Sequence, residues 1–257
     1  MIDSKTAILL DADMLAFAAA SATEVEVEFA PNIWTRHSEL PAAREYFWNQ
    51  IDYWCDEYEA TRDDVILCFT ERSQFRRDLA PSYKANRKGS KPVGYKAFKN
   101  ELMQHHGAFM FHRIEADDLI GIFAGTLQDK HVVIASGDKD LNQIPGHHTW
   151  INKEDWIITD EEAQRFTYQQ ALSGDPTDGI PGCPGIGPTS AQRIVDRFDL
   201  EDHLGCWQEI VRTYATKGKA ESPRETALLQ ARLTRILRAD EYNFKTHEVS
   251  LWNPPSL

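Results

Sequence analysis

The stretch "TAILLDAD" (residues 6–13) decides the fold. A short apolar run stops on two carboxylates, Asp11 and Asp13. Apolar residues facing both ways mark a strand covered on both sides, and the acids then stand at its carboxyl-terminal tip. "DVILCF" (64–69) and "HVVIAS" (131–136) have the same form. Helical segments are predicted at 42–60, 95–106 and 115–128. Strands alternating with helices imply an α/β fold with a mostly parallel central sheet flanked by helices. Such sheets bind ligands beyond the carboxyl ends of their strands, where these acids fall.

The 257 residues suffice for one large domain or a domain with a small companion. A content of 42% apolar and 11% aromatic residues argues for a packed core and against disorder. No apolar run approaches the roughly 20 residues of a membrane span. Acid arrives too early at the N-terminus for a secretory signal. Cys55, Cys68, Cys183 and Cys206 show no Cys-x-x-Cys spacing, which reads as reduced thiols in a cytoplasm (a host's, if the chain is viral). Beyond about residue 160 helices and turns take over. Thr159 with Glu162 fits a capping box, as does Ser222 with Glu225, with Pro223 opening the helix. The last helix is expected to end near Ala239. The expected organisation is an α/β domain over 1–160, with a basic segment at about 72–105, and a helical domain over 161–257.

Carboxylates recur in clusters: Asp11 and Asp13; Glu115, Asp117 and Asp118; Asp138 and Asp140; Asp175 and Asp178. Each has an ordinary reading, as first-turn acids of a helix or a strand-end turn. Together they are too many like charges for one rim to ionise without compensation. Oxygen-only ligation suits Mg²⁺ or Mn²⁺ rather than zinc, and no His/Cys set has zinc spacing. His105–His106 and His147–His148 read as surface or helix-end residues. Two ions roughly 4 Å apart, facing a basic segment, describe phosphodiester hydrolysis.

The net charge of −12 conceals a basic segment. From Arg72 to Lys99 there are nine Lys or Arg residues against one acid, Asp78. A local +8 in an acidic chain makes a strong local field, though a solvated helix face is the plainer reading. Residues 173–192, "SGDPTDGIPGCPGIGPTSAQ", hold five glycines and four prolines. The run is neither a dinucleotide fingerprint nor a P-loop. It reads as a tight hairpin between helices at about 167–174 and 188–197, with Gly185 and Gly187 needing φ > 0 or close approach to a phosphate. Its backbone amides and the second helix's N-terminus suit a phosphate, and its carbonyls a monovalent cation.

From about residue 5 to 200 these motifs resemble the 5′-nuclease (flap endonuclease) superfamily. "ILLDADMLAF" looks like its first metal-binding strand, with Asp11 the matching acid. "FRRDLAPSYKANR" is similar to the segment at the base of its helical arch, and "IEADDLIG" and "SGDKDLNQI" to its next metal clusters. "GDPTDGIPGCPGIGPTSAQRIV" resembles its last aspartate pair and its helix–hairpin–helix (helix-three-turn-helix), which in the family binds potassium and duplex DNA. "CFTERSQFRRDLAPSYKANRKGSKPVGY" narrows the resemblance to podovirus, coliphage T-seven-like, 5′→3′ exonucleases.

The resemblance implies 5′→3′ degradation of duplex DNA, removal of RNA primers and flaps, and roles in replication and recombination. It implies two Mg²⁺ or Mn²⁺ ions on Asp11, Glu115, Asp117, Asp118, Asp138, Asp140, Asp175 and Asp178. Many relatives carry an aspartate after the strand "VILCF"; Thr70 stands there, and Glu71 is the substitute ligand. Lys84 and Arg87 would contact the scissile phosphate, Tyr83 stack on the terminal base, and Arg76 support phosphate or metal. Gly182, Gly185, Ile186, Gly187 and Thr189 would hold duplex backbone and K⁺, with Lys91 further out. No membrane partner is expected, and the sequence names no protein partner. The alternatives are a structure-specific flap endonuclease, a non-catalytic DNA-binding relative, and a haloacid-dehalogenase-type phosphatase, whose Asp-x-Asp start "LLDADM" mimics.

Overall fold

The three apolar runs become neighbouring parallel strands. In the computed structural model, which describes residues 5–87 and 89–254, the chain begins β1 (Thr6–Asp11), α1 (Ala12–Ala22), β2 (Glu24–Ala30), β3 (Ile33–Ser38), α2 (Leu40–Glu57) and β4 (Val65–Cys68). It continues α3 (Phe75–Leu79), α4 (Tyr95–His105), α5 (Ala116–Thr126), β5 (His131–Ala135), β6 (Gly146–Thr149) and β7 (Trp156–Ile158). Last come α6 (Asp160–Ser173), α7 (Pro188–Val195), α8 (His203–Thr216) and α9 (Pro223–Thr234). Lys88 of the basic segment and the final "PSL" of the tail lie outside the described residues.

Two compact units form. One comprises Met1–Arg72, Gly89–Asp138 and His147–Trp156; the other comprises Ser73–Lys88, Lys139–Gly146 and Ile157–Leu257. The boundary falls a few residues before the expected 160. Half of the basic segment, and the acid-bearing turn at 139–146, go with the helical part. Arg76 shows why: its buried guanidinium donates to the carbonyls of Leu233 (2.9 Å) and Arg235 (2.8 Å).

In the first unit the strands run in the order β4-β1-β5-β6, with β1 parallel to both β4 and β5, and β5 parallel to β6. Every residue of β1 is buried, as its two-sided apolar run requires. One core joins β1 to α1, α2 and α4 through Leu15, Phe47, Ile51, Trp54, Phe98 and Leu102. β2 and β3 form a separate antiparallel hairpin that leaves Phe29 and Trp34 exposed. His147 and His148, expected at the surface or a helix end, sit instead on β6, where His148 is buried and stacks on Trp156.

In the second unit α6, α7, α8 and α9 surround a core of Leu172, Val195, Trp207, Ile210 and Tyr214. The Thr159–Glu162 capping box forms. The Ser222–Glu225 one does not, since Ser222 gives no side-chain cap to α9. Nor does that helix reach Ala239: it stops at Thr234, because Arg235 turns extended (φ −75°, ψ 131°). Its carbonyl there meets Arg76, which supplies a partner that another helical turn would have replaced.

Candidate functional site

Asp11 ends β1 and caps α1. One carboxylate oxygen accepts from the Met14 N–H (3.1 Å), the other from the Ser136 hydroxyl (3.1 Å). The same hydroxyl accepts from the Asp138 N–H (3.1 Å), so the tips of β1 and β5 are tied at one point. Burial, then the charges of Asp13 and Asp138, push the Asp11 carboxyl up to about 7. A carboxyl held this far above its ordinary range lacks positive charge, and all-oxygen donors suit a hard cation, so the chemistry of the set fits Mg²⁺ or Mn²⁺. Among the described residues, however, no three His, Cys, Asp or Glu side chains stand together as a ready cage.

Glu115 and Asp118, both buried, form a reciprocal capping box at the start of α5. This is the ordinary reading of "EADD", and it leaves the half-buried Asp117 as the acid of that cluster not spent on the cap. The charge of Asp117 is felt, with that of Asp11, at the buried Cys68 thiol, whose pKa burial raises most. Glu71 lies beside His112 (3.6 Å). Thr70 is a structural hub: its N–H donates to Asp13 (2.6 Å), its hydroxyl accepts from the Ala116 N–H (3.1 Å), and its carbonyl accepts from Lys99 (2.9 Å). Asp13 also accepts from Lys99 (2.8 Å) and Tyr95. Burial opposes its charge, but Lys99 and these donors prevail and hold its carboxyl below the usual range. Asp13 thus belongs to an internal ion pair. Lys91 packs its ammonium over the Tyr95 ring at 4.2 Å.

The second unit holds its acids differently. Asp178 takes the Tyr83 hydroxyl (3.2 Å), the Arg87 guanidinium and, at 3.5 Å, the Lys84 ammonium. Lys84 and Arg87 converge on Asp178 without a helical turn between them. They lie in a run of turns, and Lys84 has φ +55°. Tyr83 is buried with Ile180 and Leu233, so it braces Asp178 and offers no open ring face for a base. Arg76 donates to the carbonyls at the end of α9. Lys139 bridges Asp140 (3.0 Å) and Asp175 (3.2 Å). Burial works against the Asp175 charge, but the Thr177 N–H and Lys139 outweigh it and hold that carboxyl low.

The glycine-rich run turns between α6 and α7 as expected, but its indispensable glycines are Gly174 and Gly182. Each has φ near +65°, and a Cβ on either would lie about 2.3 Å from backbone of the 173–182 turn. Gly185 has φ +78°, the left-handed backbone expected of it, with open space beside it; Gly187 has φ −84° and open space, so the fold does not require glycine at 187. Ile186 packs against the helical core and Thr189 is exposed on the first turn of α7.

Sequence reasoning passed over the Asp13–Lys99–Tyr95 cluster and the β2–β3 hairpin. The alternation "EVEVEF" at 24–29 was the available signal for the hairpin.

Residues 6–171 match a family model described as the 5′-3′ exonuclease, N-terminal resolvase-like domain. The exonuclease of Escherichia phage T7 is 30% identical over 98% of this chain and 95% of its own length. The exodeoxyribonuclease of Enterobacteria phage T3 is 29% identical over 99% and 95%. Among solved structures, the T5 5′-exonuclease with divalent metal ions (zinc) bound is alike in fold, with a TM-score of 0.62 at 18% identity over 89% of each chain. The bacteriophage T5 flap endonuclease in a pseudo-enzyme-product complex with DNA and metal ions gives 0.57 at 17%, over 89% of this chain and 93% of that one. No helix among the described residues is long and apolar enough to cross a membrane. The family model spans well over half of the chain and the T7 relative nearly all of it: the protein is a nuclease that belongs to the 5′-3′ exonuclease family.

Proposed function

We propose that the chain hydrolyses duplex DNA from 5′ ends, 5′→3′, using two divalent ions, and removes RNA primers and flaps during replication and recombination in a cell's cytoplasm. The observation that carries the metal reading is Asp11: a buried carboxyl pushed up to about 7 beside Asp13 and Asp138, which a divalent cation would return to its charged form. Asp11, Asp117 and Asp138 are the proposed holders in the first unit, with Glu115 and Asp118 fixing the start of α5. In the second unit they are Asp140, Asp175 and Asp178. Bound Mg²⁺ would supply an activated water and steady the leaving oxygen.

The chain's own groups do the rest. Lys84 and Arg87 share Asp178 here; a scissile phosphate would compete for both cations and orient on them. Lys91 adds sequence-independent attraction to backbone phosphate. The N–H groups of Gly185 and Gly187, with that of Thr189 in the first turn of α7, are the donors proposed for a duplex phosphate, with K⁺ on the turn carbonyls. A structure-specific flap endonuclease is the second reading, favoured by the likeness in fold to the T5 flap endonuclease complex. The two-ion reading is tested by single-turnover cleavage at limiting Mg²⁺. A rate rising with about the second power of Mg²⁺ concentration supports it. First-order dependence throughout removes one ion.

A further inference from the structure

A buried chain of side-chain amides runs from the backbone after α9 to Asp140. Gln143 is fully buried and Gln170 is 4% exposed. The Ile236 N–H donates to Gln143 Oε1 (3.1 Å). Gln143 Nε2 donates to the Thr234 carbonyl (2.7 Å) and to Gln170 Oε1. Gln170 Nε2 in turn donates to Asp140 Oδ1 (2.6 Å). The Gln143 carbonyl accepts from Arg238 (2.5 Å), and its side-chain oxygen also receives the Thr167 hydroxyl (3.5 Å).

The polarity of this chain is fixed at its far end. A side-chain amide can be turned over, but a backbone N–H can only donate. Ile236 therefore requires the oxygen of Gln143, which commits the Gln143 nitrogen to Gln170. That in turn commits the Gln170 nitrogen to Asp140. Each buried amide is satisfied only in this sense, and reversing one leaves two donors or two acceptors facing each other.

We infer that Gln143 and Gln170 are positioning residues for Asp140, forming a directional relay that delivers one N–H donor to Oδ1 and so orients the carboxylate for a divalent cation. The relay rests on the proposed role of Asp140 as a metal-holding acid. It also explains why the acid is followed by glutamine in "DKDLNQ": the residue three places on turns inward and sets the acid's orientation through a neighbouring helix.

The test reads two quantities for the full chain across Mg²⁺ concentrations: the Mg²⁺-induced rise in melting temperature without DNA, and single-turnover cleavage of a 5′-labelled duplex, with each variant assayed well below its own melting temperature. Gln170→Met keeps the volume and removes the donor. It should raise the half-saturating Mg²⁺ by about 10–100-fold, as losing a partner of a metal ligand typically does. Gln170→Glu keeps the acceptor for Gln143 but turns an acceptor toward Asp140, and should do at least as much harm. Gln143→Glu keeps the acceptor for Ile236, drops the donor to Gln170, and should fall in the same direction. A role in packing alone would leave the Mg²⁺ dependence where it was. Asp140→Ala separates the two ideas. If it is inactive while all three glutamine variants keep the wild-type Mg²⁺ dependence, the relay is overturned. If Asp140→Ala itself keeps that dependence, the metal role of Asp140 is overturned and the relay with it.

Discussion

Asp11→Asn should stabilise the metal-free protein and destroy its activity. The Asp11 carboxyl ordinarily titrates near 3.8 and is pushed up to about 7 in the fold, first by burial and then by Asp13 and Asp138. A raised carboxyl means that the native state holds its proton more tightly than the unfolded chain does. Stability from this group is therefore intact below about pH 4, falls as pH rises from about 4 to about 7, and is lowest above. At about 1.4 kcal/mol per pKa unit, ionised Asp11 costs on the order of 4 kcal/mol. The half-buried Asp138 is partly screened, so about 2–4 kcal/mol is expected. Asparagine removes the charge and keeps an oxygen for the Met14 N–H, a cap it serves as well as aspartate. For a chain of this size the gain is roughly 10 °C in melting temperature. The assay is thermal melting by circular dichroism in EDTA from pH 5 to 9, with Mg²⁺ added in parallel. The variant's advantage should shrink toward pH 5, and Mg²⁺ should stabilise the wild type more than the variant. An advantage that is absent at pH 8, or equal at every pH, would refute the claim that Asp11 carries uncompensated charge.

Asp138→Ala should abolish hydrolysis while melting within a few degrees of the wild type; near-normal turnover at saturating Mg²⁺ would take the residue out of the metal set. Lys84→Ala should lower single-turnover cleavage on the order of 10²-fold with DNA saturating, whereas Lys91→Ala should change mainly affinity and its salt slope, by roughly one counterion. Equal, binding-only effects at both would make the basic segment a steering surface. Gly182→Ala, whose Cβ would meet backbone at about 2.3 Å, should cost at least about 3 kcal/mol in urea melts. Gly187→Ala should be nearly neutral in the same melts, so any loss of duplex binding there reports contact with DNA.

What the sequence made legible follows from periodicity and termini. β1, β4 and β5 are short two-sided apolar runs closed by polar residues, and only a covered parallel sheet accommodates them. Asp11 and Asp138 could be placed at strand tips because parallel strands bring their carboxyl ends to one side. The partners of each acid were not legible, because they are set by contacts between residues far apart in the chain. Asp13 differs from Asp11 by two positions, yet α4 supplies Lys99 and Tyr95 to one and not to the other. A spacing of three would put Lys84 and Arg87 on one side of a helix. Turns brought them to Asp178 instead, since Lys84 adopts φ +55° and its N–H goes to the Asp178 carbonyl (2.8 Å). In the glycine run, density revealed a hairpin but not which glycines the backbone requires. That depends on the close approach of Gly174 to Gly182, which only the folded turn creates.

The central claim, metal-dependent hydrolysis from 5′ ends, is tested most directly with one duplex labelled in turn at the 5′ and the 3′ end of the same strand. With Mg²⁺ the 5′ label should leave at once in short products, while the 3′ label stays on a strand that shortens with time; EDTA should stop both. Release of the 3′ label first, or unchanged hydrolysis in EDTA, would contradict the account.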